Sequence, residues 1–204
     1  MDFALPEDLV AYLAELDAFS GAEIKPLEEQ DDNIRFFDHR REWARTDFEN
    51  GGLPRHEWEK LLVEASKRAD AAGHWRFSAP KKYGGQDGSN LWMAVIREHF
   101  AAQGLGLHND LQNEHSIVGN FPFVAMFEEF GTEEQKQEFI LGGFERKRIT
   151  AFGLTEPHHG SDATHMETRA VRETRDGVPG WRIDGEKMWI TGMHVATHCA
   201  LFAR

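Results

Sequence analysis

The chain has 204 residues, with 35 acidic side chains against 23 basic ones and a formal net charge of −12. Such a surface repels phosphate backbones and anionic lipid head groups, which disfavours nucleic-acid and membrane-surface partners. The single cysteine, Cys199, cannot close an internal disulfide, and no apolar run approaches the roughly 18 residues of a membrane-spanning helix. The N-terminus, MDFALPEDLV, is acidic where a targeting peptide would be basic, so the expectation is a cytoplasmic protein.

Up to residue 149 the sequence has a helical period. PEDLVAYLAELDAF opens on Pro6 and Glu7 and places Leu9, Leu13 and Leu16 on one face. HEWEKLLVEASKRADAAG repeats the pattern with Trp58, Leu61, Leu62, Ala65 and Ala69, and Gly73 offers a left-handed stop. NLWMAVIREHFAAQG carries a broad apolar stripe of Leu91, Trp92, Val95, Ile96 and Phe100, ending near Gly104. FPFVAMFEEFG is nearly apolar throughout and is expected to be a central helix ended by Gly131. TEEQ then predicts a capping box, Thr132 with Gln135, opening a short helix over TEEQKQEFILGG.

After residue 149 the period shortens. TAFGL, ETRAVRET, GWRI, EKMWIT and HCALFA are rich in Thr, Val, Ile and Trp and are separated by turn signals. Two Asp-Gly pairs, Asp176-Gly177 and Asp184-Gly185, lie between these runs, and the second is expected to join WRI to EKMWI in a tight hairpin. Cys199 sits in an apolar run and is expected to be a small buried hydrophobe. The last residues, THCALFAR, end without a turn or cap and read as a strand interrupted midway, hence as part of something longer. The fold class expected is α+β: a helical domain over 1–149 followed by the opening strands of a β-barrel or sandwich domain over 150–204.

Common catalytic signatures are missing: there is no GxxxxGK[ST], no GxSxG, no HExxH and no GxGxxG after a strand. His158, His159 and His165 lie close to Glu156 and Asp162, and imidazole with carboxylate is ordinary metal chemistry. Adjacent loop histidines point in different directions, however, and no ligand spacing recurs, so no metal is assigned. The stretch FGLTEPHHGSD is more informative. Pro157 fixes one backbone angle and Gly160 frees another, so the chain turns sharply, and backbone N–H groups together with the Ser161 hydroxyl can form a nest for a diphosphate. Thr155 offers a hydroxyl at the strand end, and downstream Trp189 and Thr191 add an aromatic wall and a second hydroxyl. The residues alone also allow a plain β-hairpin with a core tryptophan and a capped turn.

FGLTEPHHGSDATHMETRA followed by GWRIDGEKMWIT resembles the acyl-CoA dehydrogenase family. APKKYGGQDG is similar to that family's Pro…Tyr-Gly-Gly turn, and GTEEQKQEFI to the helix before its β-domain. The resemblance runs from about residue 55 to the end and implies FAD as cofactor. Carried over by position, it puts Phe152, Gly153, Leu154 and Thr155 at the edge of the isoalloxazine ring. Gly160 and Ser161 would lie beside the FAD diphosphate and the acyl-thioester arm, with Ser161 also touching substrate. Trp189, Ile190 and Thr191 would flank the flavin, so that Thr155 and Thr191 would face one cleft. His158 and His159 replace small residues usual before Gly160, and Gly192 replaces a frequent Asn.

The family's activity is α,β-dehydrogenation of an acyl-CoA thioester, with an electron-transfer flavoprotein as electron acceptor and a homodimer or homotetramer as the assembly. Its catalytic glutamate comes from a C-terminal helical domain that these residues do not include, so no catalytic residue is assigned and the 204 residues alone are expected to be inactive. Alternatives are an acyl-CoA oxidase, a nitroalkane-oxidising relative, a redox-inactive DNA-associated relative, or a metal-dependent hydrolase built on the three histidines.

Overall fold

A computed structural model of the chain describes residues 4–110 and 115–204. They divide into two compact units, with the boundary between Glu145 and Arg146.

The first unit is helical. Helix α1 (Glu7–Phe19) runs through a π-helical turn, Ser20–Ile24, into α2 (Lys25–Glu29). Irregular turns follow, with a two-residue strand β1 (Thr46–Asp47) antiparallel to β2 (Leu53–Pro54). Helix α3 (His56–Ala71) buries Trp58, Leu61, Leu62, Ala65 and Ala69, every apolar position predicted for it, and Gly73 reverses the chain at φ +84°. The α1 residues Leu9, Leu13 and Leu16 are buried as well.

Helix α4 (Asn90–Ala102) starts where the Ser89 hydroxyl accepts a hydrogen bond from the N–H of Trp92. Its stripe differs from the one predicted. Met93, Ile96 and Phe100 are buried at i, i+3 and i+7, while Leu91, two positions before Met93 and off that face, is 72% exposed. The short strands β3 (Asn109–Asp110) and β4 (His115–Ser116) come next.

Helix α5 (Pro122–Phe130) corrects a second expectation. It is not central: Val124 is its one buried residue, and Phe130 is 81% exposed. Val124 packs with Ile140, Phe144 and Ala79 in a small cluster, which meets the main core where the Trp75 indole donates to the Phe144 carbonyl at 3.0 Å. Helix α6 (Glu133–Gln135) opens with the predicted capping box and continues through a π-helical turn, Lys136–Leu141, into α7 (Gly142–Phe144). Gly131 precedes it in extended backbone.

The second unit consists of two strand pairs. Strand β5 (Thr150–Gly153) lies parallel to β8 (His198–Leu201), with Thr150 opposite His198 and Gly153 opposite Leu201. Strands β6 (Arg169–Arg175) and β7 (Val178–Asp184) form an antiparallel hairpin in which Arg175 faces Val178. The hairpin turn is Asp176-Gly177, both at positive φ (+53° and +80°), as a two-residue loop of this kind requires.

The expected hairpin at Asp184-Gly185 does not form, and EKMWIT is not a strand. Gly185 has φ +150° and runs so close to Thr168 that a Cβ there would lie 2.6 Å from the Thr168 Cα. That approach directs the chain toward the end of β5 instead of back along β7. Cys199 is half-buried, not fully buried. Among the described residues no helical domain follows the strands, and no helix is long and apolar enough to cross a membrane.

Candidate functional site

The segments carrying the expected site residues, 152–161 and 189–191, lie in the second unit. In β5, Ala151 and Gly153 point inward, while Phe152 points outward at 47% exposure with its ring 4.7 Å from that of Phe202. Gly153 has to be small, since a Cβ there would lie 2.7 Å from the Cys199 sulfur. Beyond β5 the backbone is fastened one carbonyl at a time. Gly153 O accepts from Phe202 N at 3.1 Å, Leu154 O from Lys187 Nζ at 2.9 Å, and Thr155 O from Met188 N at 2.9 Å. With those carbonyls engaged, the polar group most available on this edge is the Thr155 hydroxyl, on a half-buried residue.

The loop after Thr155 folds on itself, with Glu156 N donating to His159 O at 3.1 Å and His159 N to Glu156 O at 3.3 Å. Gly160 and Ser161 follow as exposed residues, and no atom lies within 4 Å of where a Gly160 Cβ would stand. The histidines pair separately. His165 Nδ1 lies 2.8 Å from Asp162, and His159 Nε2 lies 3.6 Å from Glu167. Among the described residues no group of three His, Cys, Asp or Glu side chains is placed to hold a metal ion.

The Met188–Thr155 bond lays the 188–191 segment beside the end of β5. The next residue, Trp189, is 83% exposed and sits at φ +55°. A bulky aromatic in the left-handed region carries strain of about 1–3 kcal/mol, held in place by its surroundings. This excludes the alternative of a core tryptophan in a plain hairpin. Ile190 is half-buried, Thr191 is exposed, and Gly192 turns the chain at φ +72°.

How these segments are joined is not visible in the sequence. Glu156 and Lys187 form a buried ion pair, 2.8 Å apart, with side chains only 3% and 9% exposed. The Glu156 carboxylate also accepts from the backbone N–H groups of Thr168 (2.9 Å) and Glu167. Burial pulls its pKa upward, but the hydrogen bonds from Lys187, Thr168 and Glu167 outweigh that and hold it well below the usual carboxylate range. The signal was visible as a lysine two places before Trp189 and a glutamate directly after Thr155, but only the fold shows that they meet.

Comparison with known proteins agrees with this architecture. Residues 6–142 match the profile described as acyl-CoA dehydrogenase, N-terminal domain, and residues 151–204 the one described as acyl-CoA dehydrogenase, middle domain. The chain belongs to the acyl-CoA dehydrogenase family. A probable acyl-CoA dehydrogenase of Bacillus subtilis is 32% identical over 152 residues, covering 74% of this chain and 24% of that protein. The short-chain-specific acyl-CoA dehydrogenase of Clostridium acetobutylicum is 29% identical over 163 residues, covering 80% of this chain and 41% of that one. Among solved structures, glutaryl-CoA dehydrogenase from Mycobacterium smegmatis superposes with a TM-score of 0.63 at 27% identity, over 98% of this chain and 43% of that one. A second structure described as glutaryl-CoA dehydrogenase from the same species, in complex with FADH2, has a TM-score of 0.61 at 24% identity, over 98% and 43% of the two chains. The chain thus matches 24% and 41% of the length of these two curated relatives.

Proposed function

We propose that residues 152–155 and 189–191 form the flavin-side wall of a site for FAD-dependent α,β-dehydrogenation of an acyl-CoA thioester. The observation that carries this proposal is the pairing of Met188 N with Thr155 O, which sets an exposed, strained Trp189 next to the exposed edge of β5. A strained, exposed tryptophan in the segment that pairs with the end of β5, together with a half-exposed Phe152, suits an apolar planar ligand. The Thr155 and Thr191 hydroxyls supply the few polar contacts that fix such a ligand's orientation. Gly160 and Ser161, exposed and uncrowded, suit an approach by the diphosphate and the thioester arm.

FAD supplies acceptance of a hydride from the acyl β-carbon. In this proposal Thr191 would help hold and orient the ring, Trp189 and Phe152 would exclude water from it, and Ser161 would meet the incoming thioester. None of these residues takes the α-proton. Glu156, the nearest carboxylate in sequence, is buried, paired and held ionised far below neutrality, which makes it a poor acceptor for a proton in transit. The base belongs to other parts of the complete protein, and an electron-transfer flavoprotein is the electron acceptor.

The test is anaerobic addition of acyl-CoAs of graded length to the complete gene product that carries these residues. Loss of the oxidised flavin band with at least one thioester is expected. A flavin that no acyl-CoA bleaches contradicts the assignment, and rapid reoxidation by oxygen after bleaching identifies an oxidase instead.

A further inference from the structure

We propose that Glu156 and Lys187 are positioning residues that together clamp the end of β5 to the Trp189 segment and so hold both halves of the flavin-side wall in register. This rests on the function proposed above and adds two residues to which no role has been given. Thr155 stands between Leu154 and Glu156, and the Lys187 ammonium grips both neighbours at once: the Leu154 carbonyl at 2.9 Å and the Glu156 carboxylate at 2.8 Å. The backbone bond from Met188 to the Thr155 carbonyl lies directly beside this grip. Lys187 and Met188 therefore hold three consecutive residues of one wall while Trp189, next in the chain, provides the other.

The far side of Glu156 is fixed as well. Its carboxylate takes the N–H groups of Glu167 and Thr168, which closes the loop carrying Gly160 and Ser161. Thr168 is in turn the residue against which Gly185 runs, and its carbonyl accepts from Arg204 N at 3.0 Å. One carboxylate thus ties together the strand end, the Ser161 loop and the entry to the Trp189 segment. In this unit only four residues are fully buried, Glu156 and Thr168 among them, so no apolar core is available to do that work. A paired charge surrounded by hydrogen bonds fixes geometry where apolar packing cannot.

The arrangement makes a distinction that can be measured. A merely structural pair lowers the melting temperature when broken but leaves cofactor affinity unchanged in whatever fraction stays folded. A positioning pair loosens cofactor binding well below the melting temperature. The experiment uses the complete gene product in its wild-type form and as Lys187→Met, Glu156→Gln and the double variant. Arg182→Met serves as control, since it breaks exposed ion pairs to Glu173 and Asp184 in the same unit. FAD dissociation constants are read by titration, and folding by circular dichroism at the same temperature.

Each single variant is expected to weaken FAD binding by about tenfold or more and to shift the bound flavin spectrum. The double variant should be within about threefold of the weaker single one, because both substitutions break the same clamp. Arg182→Met should stay within about twofold of wild type. Folded single variants that bind FAD like wild type would overturn the proposal while leaving the flavin site standing. Loss of folding in all three variants, the charge-neutral double one included, overturns it too, since the pair is then a folding element. A wild-type protein that takes up no FAD removes the underlying function itself, and is recognised before any variant is made.

Discussion

In the helical unit Leu16, Ile24, Ala69, Ile96 and Phe100 are withdrawn from solvent completely, whereas in the β unit Val171, Val178, Trp181, Ile183 and Trp189 are all at least half exposed. The difference follows from local geometry. Amphipathic helices one after another can bury their stripes against each other, but a two-stranded pair has no second layer to cover its faces. The β unit is therefore fixed by polar connections: the β5–β8 ladder, the carbonyls of residues 153–155 and the Glu156–Lys187 pair. The candidate site lies in the region where apolar surface is left uncovered.

The contrast is broken most strongly at Trp58, which is 2% exposed, within 5.3 Å of Phe36 and under the Arg45 guanidinium at 4.2 Å. Trp58→Ala should cost the helical unit about 3–5 kcal/mol, read as an earlier denaturation midpoint in the helical dichroism. Gly185→Ala acts on the β unit by crowding instead of by leaving a cavity. Its Cβ would press on Thr168 in a backbone conformation that side chains avoid, so a loss of about 1–3 kcal/mol is expected. It should show as faster amide exchange at Arg204 and Ala170, whose hydrogen bonds close over Thr168.

Trp181→Ala sharpens the comparison with Trp58. Trp181 is 59% exposed, with the Arg172 guanidinium 5.1 Å from its ring, and its loss should change stability by no more than about 0.5 kcal/mol. The finest separation comes from a small pH step. Burial lowers the pKa of His74 beneath its ordinary 6.5, against an opposing pull from Glu15, and its ring meets the Tyr12 hydroxyl at 3.2 Å. The unfolded chain then takes up the proton first, so this contribution declines as pH falls through 6.5 and levels off once the folded His74 is protonated. Glu156 has the opposite origin and a lower window. Its depressed pKa stabilises the β unit above the ordinary value of 4.5, and that contribution is lost only as pH falls from there toward its lowered folded value. With the intrinsic pH dependence of exchange divided out, amide protection should therefore decrease around His74 between pH 7 and 6 and remain unaffected by Glu156.

Helix periodicity made the helical unit readable in sequence. The stripes at Leu9, Leu13 and Leu16 and at Trp58 through Ala69 are where the apolar spacing placed them, and the Thr132–Gln135 box formed. Composition alone misled at α5, because an apolar segment near the edge of a unit leaves Phe130 uncovered. In the β unit four of the five predicted strands formed, EKMWIT being the exception, and the connections were not legible. Two Asp-Gly pairs look alike as turn signals, and what separates them is a contact between Gly185 and Thr168, distant in sequence. The site residues were named from a resemblance, yet the ion pair that joins their segments spans 31 positions, and although Glu156 and Lys187 both lie inside the quoted stretches, nothing in the sequence pairs them.

The most direct test of a flavin-side wall at residues 152–155 and 189–191 is the visible absorbance of the complete gene product, purified and then denatured. A yellow protein that releases FAD on denaturation is the result expected. A colourless protein that takes up no FAD when the cofactor is supplied would contradict it.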